Sequence, residues 1–339
     1  MSIPYRTRKI LLRVLAILLS LALVAAVVLG CWLLWLGRYV VYTRDEGAKL
    51  DFNLPPEIPE GELAVPPTQV QVPSIYYNSG EDAVDTSTEL VQMIGYYADI
   101  DALQEDIGAV RSQIKNLPAQ TAVMVDVKDI YGNFYYSSEV GTARPSDFPV
   151  EEMDQLIQEL NSGALYTVAR LPAFRDYAYG LNHVPDGLPT PGGYLWIDDD
   201  GCYWLNPQSQ GTISYLVQIV TELKGLGFDE VVFQEFRFPE TDGIVFNGDR
   251  TEALNTAAQT LLTTCATDRF AVSFVGNGNF TLPEGRSRLY LTGVDAADVA
   301  NRIQETGIAD AAVHVVFLTE VHDTRFDAFG VLRPLSAVH

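Results

Sequence analysis

Between residues 90 and 320 the chain alternates short apolar runs with longer stretches in which apolar side chains recur every three to four positions. The runs LVQMIGYY (90–97), TAVMVDV (121–127) and ALYTVARL (164–171) have strand length and are apolar on successive positions. So do EVVFQEF (230–236), RFAVSFVG (269–276), RLYLTGV (288–294) and AAVHVVFLT (311–319). Between them, residues 100–114 place Leu103, Ile107, Val110 and Ile114 on one helical face. Helices are likewise predicted over 150–160, 214–227, 252–265 and 296–307, the third closed by Gly227 as a C-terminal stop. Strands that are apolar on both faces and alternate with helices belong to a parallel sheet covered by helices. No Gly-x-Gly-x-x-Gly turn follows any strand, so the doubly wound dinucleotide-binding arrangement is disfavoured and no cofactor is implied. The repetition and length predict a (β/α) TIM-like barrel over residues 88–339. Its eighth strand is not evident: the tail FGVLRPLSAVH (329–339) is short, which leaves open an incomplete ring or closure by an irregular segment.

Ahead of this region the pattern changes twice. Residues 14–37 form an uninterrupted apolar run of 24 residues, long enough as a helix to cross a hydrocarbon core of about 30 Å. Trp32 and Trp35 stand near its far end, four basic residues precede it and two follow it closely. This predicts an uncleaved transmembrane signal anchor, with residues 1–13 a cytoplasmic basic tail and the main domain outside the cell membrane. Residues 38–87 carry six prolines and scattered acids without helical period, an extended linker.

Charge narrows the partners. The chain carries −22 overall, but six basic residues lie before Asp45, so the remainder sets 16 basic against 44 acidic residues. A field of that sign repels nucleic acid and anionic lipid and suits neutral ligands. Cys31, Cys202 and Cys265 form no CxxC spacing, and His183, His314 and His322 show no ligand spacing, so no metal site is predicted. The run Asp198 to Gly201 reads as a hairpin turn.

In a barrel of this kind the functional groups gather at the C-terminal ends of the strands. Three such ends are polar: VMVDVKDIYGNFYYSS (123–138), TVARLPAFRD (167–176) and GFDEVVFQEFRFP (227–239). In that order they resemble the successive motifs of the putative glycosyl hydrolase domain family, bacterial proteins that are exported or membrane-anchored and assigned a TIM-type barrel of the α-amylase-like clan. Asp126, Lys128, Asp129 and Gly132 match its first motif, and Ala169, Arg170, Phe174 and Asp176 its second. The third departs. Where the family has Phe-Asp-Tyr-x-Arg-Phe-Pro, this chain has Phe233-Gln234-Glu235-Phe236-Arg237-Phe238-Pro239. The family's Trp-x-Asp-Pro likewise becomes Trp204-Leu205-Asn206-Pro207.

Glycosidic cleavage normally uses two carboxyl groups, about 5 Å apart in retaining enzymes and roughly 6.5–9.5 Å apart in inverting ones. Here two acidic positions have become amides, leaving Glu235, Asp126, Asp129 and Asp176 as candidate catalytic acids. Strand alternation puts Glu235 on the opposite face from Gln234 unless the strand end bulges. Lys128, Arg170, Gln234, Arg237, Tyr177, Trp196, Trp204 and Asn206 are the candidate glycan-binding residues. Each has a plainer reading: Asp126 with Lys128 as a stabilising pair, Glu235 with Arg237 as a satisfied ion pair, the aromatic loop as a lid packed on itself. Two functions therefore stand: a surface glycoside hydrolase acting on envelope or extracellular glycans, and a pseudoenzyme that binds carbohydrate or a partner protein.

Overall fold

The computed structural model describes residues 40–43, 47–50, 89–276 and 279–335. Two compact units are present, Met1–Glu81 and Asp82–His339. Within the first, the described residues form an antiparallel hairpin of Val40–Thr43 with Gly47–Leu50. The expected anchor (14–37) and nearly all of the expected linker lie outside the described residues. Among the described residues no helix is long and apolar enough to cross a membrane.

The second unit is a closed barrel of eight parallel strands. They are β1 (Ile94–Ala98), β2 (Ala122–Asp126), β3 (Tyr166–Pro172), β4 (Glu230–Gln234), β5 (Ala271–Val275), β6 (Leu289–Thr292), β7 (Val315–Leu318) and β8 (Gly330–Pro334). Each pairs with its sequence neighbour, and β8 pairs with β1 to close the ring. Closure is therefore complete: the eighth strand, left open by the sequence, is supplied by GVLRP. Val331 pairs with Ile94 and Leu332 with Gly95 in that seam. Gly95 is required there, because a Cβ would lie 1.9 Å from the Ala122 carbonyl oxygen.

Alternation along each strand divides the core. Val123 and Val125, Ala169 and Leu171, Val231 and Phe233 face outward and pack on the helices. Ala122, Met124, Val168, Val232, Tyr290, Val316 and Leu332 fill the interior. The helices are α1 (Ile100–Ile114), α2 (Val150–Asn161), α3 (Tyr177–Asn182), α4 (Gln210–Gly225), α5 (Arg250–Cys265), α6 (Val299–Thr306) and the single turn α7 (Ala311–His314). α1 buries Leu103, Ile107, Val110 and Ile114, as its spacing predicts, and Asp99 caps it by accepting from the Ala102 N–H at 2.9 Å. The predicted seventh strand is shorter than its apolar run, since residues 311–314 wind into α7. The predicted first strand begins later, at Ile94.

The floor of the barrel is polar. Glu230 at the start of β4 pairs with Arg288 just before β6, both buried. Tyr166 and Tyr290 donate to the same carboxylate at 2.8 and 2.9 Å. Arg288 spends its other donors on the Val313 and Val91 carbonyls at 3.2 and 3.0 Å. Every group is satisfied, so this network ties β1, β3, β4, β6 and the entry to β7 together at the end away from the loops.

Candidate active site

Strand ends β2, β3 and β4 deliver their polar residues to one end of the ring, and cross-strand register decides the partners. Asp126, the last residue of β2, is paired in register with Arg170 of β3. Both face inward. The Arg170 guanidinium grips the carboxylate with two nitrogens, Nη2 to Oδ2 at 2.9 Å, and the Ile100 N–H at the start of α1 donates to Oδ2 at 3.2 Å. Arg170 also lies 5.9 Å from the Tyr97 ring centroid. Burial depresses the Arg170 pKa, but the Asp126 carboxylate outweighs it and holds the guanidinium above its usual value. The expected Asp126–Lys128 contact is not made, because β2 ends at Asp126 and the chain turns away before Lys128.

Lys128 instead points into the protein, where its Nζ meets Asp176 Oδ2 at 2.7 Å with neither side chain exposed. Asp176 is saturated: Oδ2 accepts from the Tyr215 hydroxyl at 2.9 Å, and Oδ1 caps α3 through the Tyr179 N–H at 2.9 Å. Gly132 makes this possible. It sits at φ +85°, and a Cβ there would fall 2.5 Å from Asp176 Oδ1. Asp129 is consumed locally, accepting from the N–H groups of Tyr131 and Asn133 and from the Asn133 amide, all at 2.9 Å. Two of the four candidate acids thus shape loops.

At β4 the alternation holds to Gln234, which faces inward at the rim and is paired in register with Pro172. Among the described residues its amide makes no hydrogen bond. Glu235 follows with φ +51°, a left-handed conformation that only one other non-glycine residue, Gln120, shares among the described residues. That break turns its side chain toward two arginines. Arg237 holds it through Nε and Nη2, each 2.9 Å from Oε2, and Arg175 Nη1 stands 4.0 Å from Oε1. The side chain remains 20% exposed.

Arg175 is fixed in turn by Asp198 at 2.6 Å and by Asp200. Trp204 completes the cluster. Arg237 and Arg175 lie 4.9 and 5.8 Å from its ring centroid, and its Nε1–H donates to Asp198 at 2.8 Å. Trp204 is only 2% exposed, which leaves no ring face open to a ligand. Burial pushes the Asp198 pKa up, but donors from Arg175, the Cys202 N–H and Trp204 prevail and hold it below the ordinary carboxylate range. Residues 198–201 form the hairpin turn expected, with Gly201 donating to the Asp198 carbonyl at 3.0 Å.

Asn206 accepts from the Gln208 N–H at 3.0 Å and belongs to the turn that starts α4. Trp196 is partly buried against the outer core, its Nε1 beside Gly243. Tyr177, the first residue of α3, stacks on Tyr203 and stays partly exposed. Cys202 and Cys265 are free and buried. Among the described residues no group of three His, Cys, Asp or Glu side chains is placed to hold a metal ion. Sequence reasoning missed Arg175, Asp198 and Tyr215 as partners, because each meets its carboxylate or base across a loop and not along a strand.

The model of the putative glycosyl hydrolase domain matches residues 107–273. That span holds β2, β3 and β4 with all the polar tips described above. No curated protein matches the sequence. A GH36 α-galactosidase from Geobacillus stearothermophilus shares the fold at TM-score 0.52 and 10% identity, over 74% of this chain and 40% of that one. An α-galactosidase from Lactobacillus brevis aligns at TM-score 0.50 and 9% identity, over 74% of this chain and 38% of that one. A hypothetical protein from Ruminiclostridium thermocellum is 21% identical and is covered over 96% of its length, against 53% of this chain, at TM-score 0.44. The chain spans about two fifths of the α-galactosidases it resembles.

Proposed function

We propose that this barrel, whose residues 107–273 match the model of the putative glycosyl hydrolase domain, binds a glycan at its loop-bearing end without cleaving it. One observation carries the reading: each of the four candidate carboxyls is already engaged. Asp126 is gripped by Arg170, Asp129 closes its own loop, Asp176 is buried on Lys128, and Glu235 is held by Arg237. Glycosidic cleavage needs a carboxyl free to reach the sugar, and the inward rim position of β4 presents an amide, which is neither a general acid near neutral pH nor a nucleophile. Gln234 and the partly exposed Tyr177 are groups that hydrogen-bond and stack on a sugar but neither protonate nor attack it. The α-galactosidase activity of the structural relatives therefore gives the architecture a precedent and gives this chain no mechanism. With residues 14–37 as an anchor, the mouth would meet envelope or extracellular glycans.

A hydrolytic reading has one observation in its favour. Non-glycine residues held at positive φ concentrate at functional sites, and Glu235 is such a residue at a strand tip. The two readings separate when the full chain is incubated with a panel of soluble glycans and both retention and products are measured. Retention of a glycan recovered at its original length supports binding. Products formed at a rate that scales with protein, and lost in Glu235→Gln, support hydrolysis.

A further inference from the structure

Two fully buried motif residues, Lys128 and Asp176, support the mounting of Tyr177. Asp176 caps α3 from a fully buried position, and Tyr177 is the next residue. The Tyr177 N–H donates to the Ile130 carbonyl at 3.0 Å, and the Ala178 N–H to the Tyr131 carbonyl at 3.2 Å, so the helix start is clamped to the β2 loop. The hairpin from β3 is clamped as well, through the Asp176 N–H donating to the Tyr203 carbonyl at 3.0 Å. On this base the Tyr177 and Tyr203 rings stack with centroids 5.5 Å apart and planes at 13°. A pair so close admits nothing between its rings. Tyr177 is nevertheless 37% exposed, and Tyr131 on the adjoining loop is 47% exposed. The Tyr177 ring is thus held by the clamped backbone and by its stacked partner, with little left to order when a ligand arrives.

Charge selects among ligands with a flat apolar face. The hairpin that carries Tyr203 turns through Asp198, Asp199 and Asp200, of which Asp198 and Asp200 are paired with Arg175 and Asp199 adds to the acidic excess. Beyond Arg44 the chain has 16 basic and 44 acidic residues. Uronates, phosphate-bearing polymers and nucleobases on a phosphate backbone are repelled from such a rim. An uncharged pyranose presents a face of C–H groups to the ring and carries no charge for that field to repel. We infer that Tyr177, backed by Tyr203 and flanked by Tyr131, is the stacking platform for a pyranose ring of an uncharged glycan chain. This inference rests on the reading of the barrel as a glycan binder.

The test is affinity electrophoresis of the full chain through gels containing mixed-linkage β-glucan, galactomannan or anionic polygalacturonate. The parent protein is expected to be retarded in at least one uncharged gel and to run freely in polygalacturonate. Tyr177→Ala is expected to weaken retardation about tenfold, the size of one aromatic contact. Tyr177→Trp should preserve it, and Tyr131→Ala, a surface change, gives a second reading should Tyr177→Ala fail to fold. If the parent is retarded and both alanine variants are retarded equally, the platform is wrong while glycan binding stands. If polygalacturonate alone retards the protein, the charge argument is wrong. If no polysaccharide retards it, the glycan-binding reading fails with the platform.

Discussion

Lys128 Nζ lies 2.7 Å from Asp176 Oδ2 in a pair with no exposed side-chain surface. The two residues come from different strand ends, and Tyr215 of α4 joins them by a hydrogen bond at 2.9 Å. Removing one partner of a buried pair leaves an uncompensated charge, worth about 3–5 kcal/mol. Lys128→Met is expected to lose that much in urea denaturation. Adding Asp176→Asn, which keeps a side-chain oxygen to cap α3, should restore part of it. A double variant less stable than Lys128→Met alone would contradict the pairing.

Glu235 pairs its charge with Arg237 from a left-handed backbone. Glu235→Ala and Glu235→Gly both delete the ion pair and differ in how well they accept φ +51°. Glycine should therefore exceed alanine in stability by roughly 1 kcal/mol. Equal denaturation midpoints would show that the backbone relaxes once the side chain is gone.

Much of this architecture is legible in the residue pattern. The alternation of apolar runs with amphipathic stretches marks seven strands and the order of the helices, because a strand between the helix ring and the filled barrel interior must be apolar on successive positions. GVLRP escapes notice for a physical reason: a glycine, an arginine and a proline interrupt the apolar run, and only the ring's need for closure makes it a strand. Residues 311–314 mislead in the other direction, being apolar yet wound as one helical turn. At the site, motif position identifies which residues matter and not what each touches. Asp126 and Lys128 are two apart, which suggests a pair, yet register gives Asp126 to Arg170 and the turn after β2 gives Lys128 to Asp176. The kink at Glu235 has no sequence signal, since glutamate carries no preference for positive φ.

Five tyrosines report on neighbouring carboxylates through pH. Burial, and then the nearby charges of Asp129, Glu222, Glu230 and Asp176, push the hydroxyls of Tyr135, Tyr136, Tyr166, Tyr215 and Tyr290 above the ordinary phenol range. A phenol that ionises near pH 10 when unfolded, and later when folded, stabilises the fold fully below pH 10. That contribution is lost as pH rises beyond it. Phenolate absorbance from these residues is expected only together with loss of the circular dichroism signal. Ionisation near pH 10 with the fold intact would contradict the placement.

Burial also pushes the thiols of Cys202 and Cys265 up to about 11. Since the thiolate is the nucleophile, neither should be alkylated by iodoacetamide at pH 8 in the native protein, and both should be labelled in denaturant. Peptide mapping decides it. Rapid native labelling of either, or a disulfide between them, would overturn the assignment.

The central claim is that the β4 rim presents Gln234 where cleavage would need a free carboxyl, while Glu235 is held by Arg237. The most direct measurement is a product time course on soluble glycans that the full chain retains, comparing the parent protein with Glu235→Gln. No release above the rate without protein, from either one, is the predicted result. Turnover by the parent that Glu235→Gln abolishes would contradict it.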